Sequence, residues 1–215
     1  MAILLDSALV DEAKKAFSLG FVSGITTNPK LLSQAAGEPE DILRELCSLS
    51  PGPVFYQLTG LTADQKLEEA LRFQSLSPRK LVLKIPSTTE NLALLARLSS
   101  GHGMACAATA VYGPGQAFLA CEAGAKYLIP YVNRITAMGG DGPGFVAEIA
   151  AIAREAGKGT EILAASLKTP REVAQAVLAG ARHVTLPMAL IEALGNDRSS
   201  DEAIAMFQSF VRRPG

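Results

Sequence analysis

The chain has 215 residues, 48% of them hydrophobic and 19% charged, with a formal net charge of -1. That supplies enough apolar surface for one compact domain over residues 1–215 and too little charge for a disordered chain. No Lys/Arg block is long enough to follow a nucleic-acid backbone, so nucleic acid is not an expected partner.

Read in chain order, the opening MAILLDSALVDEAKK has an apolar run of only four residues closed by Asp6, without the basic start and longer apolar stretch of a secretory signal. No apolar run of about 18 residues occurs, so no membrane partner is expected and the cytoplasm is the expected location. Short apolar runs that read as buried strands then recur: ILLD ending at Asp6, VSGITT ending at Thr27, VFYQL around Gln57 and KLVLKIP around Lys84. MACAAT ending at Thr109, KYLIPY ending at Tyr131, EILAAS ending at Ser166 and HVTLP ending at Pro187 continue the series. Helix-compatible segments follow them, among them residues 62–76, 91–99, 116–123, 145–156 and 171–179. LACEAGAKYLIP and AVLAGARHVTLP read as one helix-to-strand turn used twice, with Gly124 and Gly180 as left-handed caps. Eight strand-helix units, with no Gly-x-Gly-x-x-Gly after the first strand, favour a closed (β/α)8 TIM barrel over an open doubly wound sheet. Residues 200–210 read as an additional helix with no strand to follow, either closing the barrel itself or forming an arm, 200–215, that packs on a neighbouring subunit.

Alternate residues of a barrel strand point inward, and sites are built where the strands end. The period of two groups Lys84 with Val82, Asp6 with Leu4, Gln57 with Phe55, Thr109 with Ala107, Tyr131 with Ile129 and Ser166 with Ala164. Six polar residues then meet at one mouth. A lysine in so apolar a strand loses part of its preference for the ammonium form, and the neutral amine is the nucleophile that a carbonyl substrate needs. The competing reading is a lysine that extends its head to solvent. Asp6 and Tyr131 are the acid-base candidates, the alternatives being a cap for a helix starting near Val10 and a tyrosine that merely fills the core. Arg134, in the loop after the sixth strand, and Ser166 with Lys168, after the seventh, lie where barrels commonly bind phosphate; the other reading is solvated loop charge. His102 and His183 are far apart with no carboxylate cluster beside them, and Cys47, Cys106 and Cys121 form no CxxC pair, so neither a metal nor another cofactor is expected.

The segments LLDSA, GITTNP, LVLKIPST, TAVYGPGQA, AGAKYLIPYVNRI and AASLKTPREV, in this order over nearly the whole chain, resemble the small transaldolase family, on its fructose-6-phosphate aldolase side. The resemblance implies a (β/α)8 fold, an imine between Lys84 and a ketose donor, and supporting roles for Asp6, Asn28, Thr109, Ser166 and Arg134. Thr26, in the same segment as Asn28, joins the substrate-binding set. It also implies a ring-shaped homo-oligomer, a pentamer or a decamer, with the terminal helix reaching a neighbour. Gln57 and Tyr131 stand where transaldolases typically carry glutamate and phenylalanine, so the expected reaction is metal-free cleavage of fructose 6-phosphate into dihydroxyacetone and glyceraldehyde 3-phosphate. The alternative is transfer of the same three-carbon unit between sugar phosphates. Ile129 replaces the small residue usual in the family and is expected to narrow the mouth.

Overall fold

The computed structural model describes residues 1–211. In chain order it contains β1 (Ala2–Asp6), α1 (Val10–Ser18), β2 (Val22–Thr26), α2 (Pro29–Leu32), α3 (Pro39–Leu49), β3 (Val54–Gln57), α4 (Ala63–Gln74), β4 (Leu81–Pro86) and α5 (Thr89–Ala96). It continues with β5 (Cys106–Val111), α6 (Pro114–Glu122), β6 (Tyr127–Pro130), α7 (Val132–Ala137), α8 (Gly142–Ala156), β7 (Glu161–Ala164), α9 (Pro170–Leu178), β8 (His183–Leu186), α10 (Met188–Gly195) and α11 (Arg198–Ser209). All eight strands are parallel and close in sequence order, β8 pairing back to β1 through Ala2 and His183. This is the (β/α)8 barrel expected from the alternation of strands and helices.

Strand parity sorts the core into two shells. Leu4, Phe55, Val82, Ala107, Tyr127, Ile129, Leu163 and Ala165 fill the interior. Leu5, Ile25, Leu81, Leu83, Ile85 and Leu128 pack outward against the helices. Strands buried on both faces read as continuous apolar runs, which is why they stood out in the sequence. Several helices start on side-chain caps: Thr62 and Gln65 form a reciprocal capping box on α4, and Thr88, Asp141 and Thr169 accept backbone N–H bonds at the starts of α5, α8 and α9.

The repeated turn is present. Gly124 and Gly180 adopt φ of 84° and 107°, and in each turn the following residue closes the same wide bond, Ala125 N–H to Ala120 O and Ala181 N–H to Ala176 O, both at 3.0 Å. The helices α2, α3, α7 and α10 lie in segments not singled out by sequence periodicity. The helix expected over 91–99 ends as a π turn over Arg97–Gly101.

Two placements differ from expectation. Ser166 does not share a face with Ala164: Ala164 packs outward, Leu163 and Ala165 point inward, and a left-handed Ser166 (φ 60°) breaks the alternation. Arg134 sits within α7, not in a loop, because the chain turns helical directly after Tyr131. The terminal helix α11 buries no residue, and Ile204, Met206, Phe207 and Phe210 are exposed. It does not close its own barrel. Residues 212–215 of the expected arm lie outside the described residues.

Candidate active site

Register brings the polar strand ends together: Asp6 lies beside Thr26, Gln57 beside Lys84, Pro86 beside Thr109, and Thr109 beside Ile129. Asp6, Thr26, Gln57, Lys84 and Ile129 line a cavity of about 500 Å³ at the C-terminal mouth of the barrel, with Asn28, Tyr131, Arg134, Ser166 and Lys168 on its rim, while Thr109 is buried just behind Tyr131. A larger hollow, about 740 Å³, lies on the outer flank around α4. It is lined by Glu38, Glu40, Asp41, Glu68 and Glu69 and has no nucleophile comparable with Lys84, so its charge opposes an anionic substrate.

Lys84 is 4% exposed and donates from Nζ to the Thr27 carbonyl at 2.8 Å. It does not reach solvent. Burial lowers its pKa from the usual 10.5 to about 8, against an opposing pull from the Asp6 carboxylate. Burial in turn raises Asp6, with Lys84, the Thr26 hydroxyl and Lys168 each working the other way. Thr26 donates to Asp6 Oδ1 at 2.8 Å, and since its single proton is then used, the adjacent Thr185 hydroxyl donates to Thr26. Asp6 caps no helix; α1 has no side-chain cap, and Ser7 Oγ accepts the Leu9 N–H instead.

Across the mouth the Tyr131 and Thr109 hydroxyls are 3.1 Å apart. Burial holds the Tyr131 phenol above its ordinary pKa, partly offset by Thr109 and Arg134, so at neutral pH it is a proton donor. The Arg134 guanidinium lies 4.8 Å above the Tyr131 ring. Asn28 caps α2 through its side-chain oxygen, taking the Leu31 N–H at 3.0 Å, and lines the mouth. Lys168 is fixed through its backbone N–H to Glu172 at 2.7 Å, and the other oxygen of that carboxylate takes the Asn133 amide at 2.9 Å. Neither Arg134 nor Lys168 makes an ion pair among the described residues.

Sequence reading missed Thr185 and Lys30, which also line the mouth. Thr185 was within reach of the parity argument, two residues before Pro187 in HVTLP. Lys30 projects from α2, a helix too short to show a period. His183 has an acidic partner, Glu161, at 2.9 Å, but both begin their strands, at the end of the barrel opposite Lys84. The three cysteines are buried and free, and burial raises every thiol, Cys106 to about 12, so none is a nucleophile at neutral pH.

The family model described as transaldolase/fructose-6-phosphate aldolase matches residues 3–213. The chain belongs to that family. Among curated members, a protein named probable transaldolase from Symbiobacterium thermophilum is 35% identical over 96% of this chain and 95% of its own length. A probable transaldolase from Roseiflexus sp. is 39% identical over 89% of this chain and 88% of its own. Of solved structures, inosine 5' monophosphate dehydrogenase from Legionella pneumophila superposes with a TM-score of 0.60 at 14% identity, covering 88% of this chain and 58% of that one. At that identity the likeness is one of fold. For a member of the transaldolase/fructose-6-phosphate aldolase family, sugar phosphates fit a mouth whose rim carries Lys30, Arg134 and Lys168 with Asp6 as its acid. Among the described residues no helix is long and apolar enough to cross a membrane.

Proposed function

We propose that the protein is a Schiff-base aldolase that cleaves fructose 6-phosphate, with Lys84 as nucleophile. The observation that carries this reading is the buried amine of Lys84, pKa about 8, facing a cavity shared with a tyrosine hydroxyl and a carboxylate. At pH 7 roughly a tenth of such a lysine is neutral, about 300 times the fraction at the usual pKa. The amine adds to the C2 ketone, and loss of water gives the imine. Asp6 takes the proton of the C4 hydroxyl as the C3–C4 bond breaks, and glyceraldehyde 3-phosphate leaves. The bonding electrons remain as an enamine on the dihydroxyacetone carbons. A proton supplied through Tyr131, paired with Thr109 and assisted by water near Gln57, reaches C3; hydrolysis then frees dihydroxyacetone and restores the lysine. Arg134, Ser166 and Lys168 hold the phosphate, and Thr26 and Asn28 contact the donor hydroxyls. Ile129, 1% exposed and lining the mouth, limits donor size.

The names of the relatives favour a second reading, transfer of the three-carbon unit to an aldose phosphate. The two differ in the fate of the enamine, and a phenol poised to protonate it supports the aldolase. The deciding experiment is release of glyceraldehyde 3-phosphate from fructose 6-phosphate with and without erythrose 4-phosphate. Release without acceptor is the expected result; release only with acceptor would make the protein a transaldolase. The exposed apolar side of α11 supports a homo-oligomer, pentamer or decamer, in which this helix seats on a second copy.

A further inference from the structure

Beyond the residues that touch substrate, a tyrosine that sequence reading did not single out stands against the rim residues Arg134 and Tyr131. Tyr112 follows β5 at a point where the strand is irregular. Ala110 has φ 54°, and the pairing of β5 with β6 shifts register between Thr109 and Val111. A bulge of this kind re-aims the residues after it. Thr109 stays inside, Val111 is buried against the helices, and Tyr112 emerges partly exposed behind the rim residues Arg134 and Tyr131. Its backbone is then pinned: the Gln116 side-chain oxygen accepts the Tyr112 N–H at 2.9 Å and the Gly113 N–H at 3.1 Å. The amide of Gln116 donates to the Ser87 carbonyl at 2.6 Å, tying this turn to the end of the lysine strand.

From that position Tyr112 accepts a hydrogen bond from Arg134 Nη1 at 3.1 Å and meets the Tyr131 ring edge-on, centroids 5.9 Å apart. The guanidinium is thus held on two sides, by the face of Tyr131 and by the phenol oxygen of Tyr112. One of its five N–H groups is occupied, and no carboxylate competes for the rest among the described residues. An arginine on a helix edge otherwise samples many rotamers, and fixing it beforehand lowers the cost of binding an anion.

We propose that Tyr112 is a positioning residue for Arg134, and that the pair selects phosphorylated over unphosphorylated aldehydes at this mouth. The inference rests on the aldolase reading for its substrate, but its physical content is anion binding by a pre-oriented guanidinium. Tyr112→Phe keeps the ring and its contact with Tyr131 and removes only the oxygen.

In aldol addition of dihydroxyacetone, Tyr112→Phe is expected to raise KM for glyceraldehyde 3-phosphate on the order of tenfold. Its kcat is expected to stay within about twofold, and KM for unphosphorylated glyceraldehyde to be unchanged. Arg134→Leu should raise KM for glyceraldehyde 3-phosphate at least as much, and Tyr112→Phe added to it should cost little more for that substrate. In parallel, inorganic phosphate is titrated calorimetrically into wild type and Tyr112→Phe, where weaker binding by the variant is expected. Equal losses for both aldehydes, or no loss for either, would overturn the proposal, as would phosphate binding that the variant leaves unchanged. A wild-type protein without aldol activity refutes the aldolase reading instead, and the phosphate titration still decides whether Tyr112 orients Arg134.

Discussion

If burial is what lowers Lys84, the native state bears a cost at neutral pH that titration can reveal. The cost follows from a pKa near 8 in the folded protein against about 10.5 in the unfolded chain, where the lysine is hydrated. Below pH 8 both states hold the proton and the cost is fully present, about 3 kcal/mol. Between 8 and 10.5 the unfolded chain binds more protons than the folded one, so folding stability rises with pH; above 10.5 the cost is gone. Lys84→Met removes this group. The stability of wild type minus that of the variant is therefore expected to climb by roughly 2–3 kcal/mol between pH 7 and pH 10. Effects that do not titrate, such as the unpaired Thr27 carbonyl in the variant, cancel in that difference.

Asp6 does not reverse the trend. Without Lys84 its carboxyl loses the largest influence opposing burial and moves further up. If it carries a proton in the native variant near pH 7, the variant loses stability as pH rises, which steepens the climb. Urea unfolding followed by circular dichroism, for both proteins at several pH values, measures the difference directly. Parallel pH profiles would show that Lys84 titrates as a hydrated lysine, and the argument for its nucleophilicity would fall with them.

Four other outcomes follow from the same geometry. The kcat/KM of wild type should fall about tenfold per pH unit below 8 as Lys84 protonates, and in any residual activity of Asp6→Asn that limb should move to lower pH, because the carboxylate that raises Lys84 is gone. Ile129→Ala should broaden the donors accepted, read as kcat/KM for bulkier hydroxyketones, while costing about 2–4 kcal/mol in urea unfolding; an unchanged donor profile would show that Ile129 does not limit the mouth. Glutamate at both Phe207 and Phe210 should lower the molar mass found by sedimentation if α11 seats on a second copy, and the same mass in both proteins would rule that contact out. Ala110→Gly should be neutral or stabilising by up to about 1 kcal/mol, whereas Ala108→Gly, with ordinary strand φ in the same strand, should cost about 1 kcal/mol; equal costs would mean that Ala110 is unstrained.

The strands were legible because both faces of a barrel strand are buried and each run is apolar throughout, and Lys84 was conspicuous as the charge inside such a run. Its partners were legible only while alternation held. Thr109 and Gln57 sit where a period of two puts them, but Ser166 reaches the rim through a left-handed residue that no period encodes. Tyr112 was invisible for a related reason: its direction is set by the bulge at Ala110, a property of pairing between two strands and not of either segment alone. Arg134 was found by its place after the sixth strand, yet its fixed direction depends in part on Tyr112, 22 positions away in sequence, which no local pattern brings beside it. The helices α2 and α7 are too short for the apolar stripe that marks a longer helix.

The two residues that defy strand parity are also the two non-glycine residues with positive φ among the described residues, and each directly follows a residue that meets Tyr131. Ala110 ends the regular part of β5, whose Thr109 hydroxyl meets the tyrosine; Ser166 follows Ala165, which bridges to Tyr131 directly. Each left-handed turn costs on the order of 1 kcal/mol, and the buried ammonium adds to the burden at the same mouth. The lower barrel shows the opposite character, with Phe55, Tyr127 and Leu163 packed around the axis in ordinary strand geometry. A barrel divided in this way concentrates its stability where the strands begin and its strain where they end. Residues at the mouth are then held by the packed layer beneath them and not by their own preferences. That is why Lys84 stays buried beside Asp6 without a solvent-exposed alternative, and why removing either charge is expected to leave the fold intact while changing what the other can do.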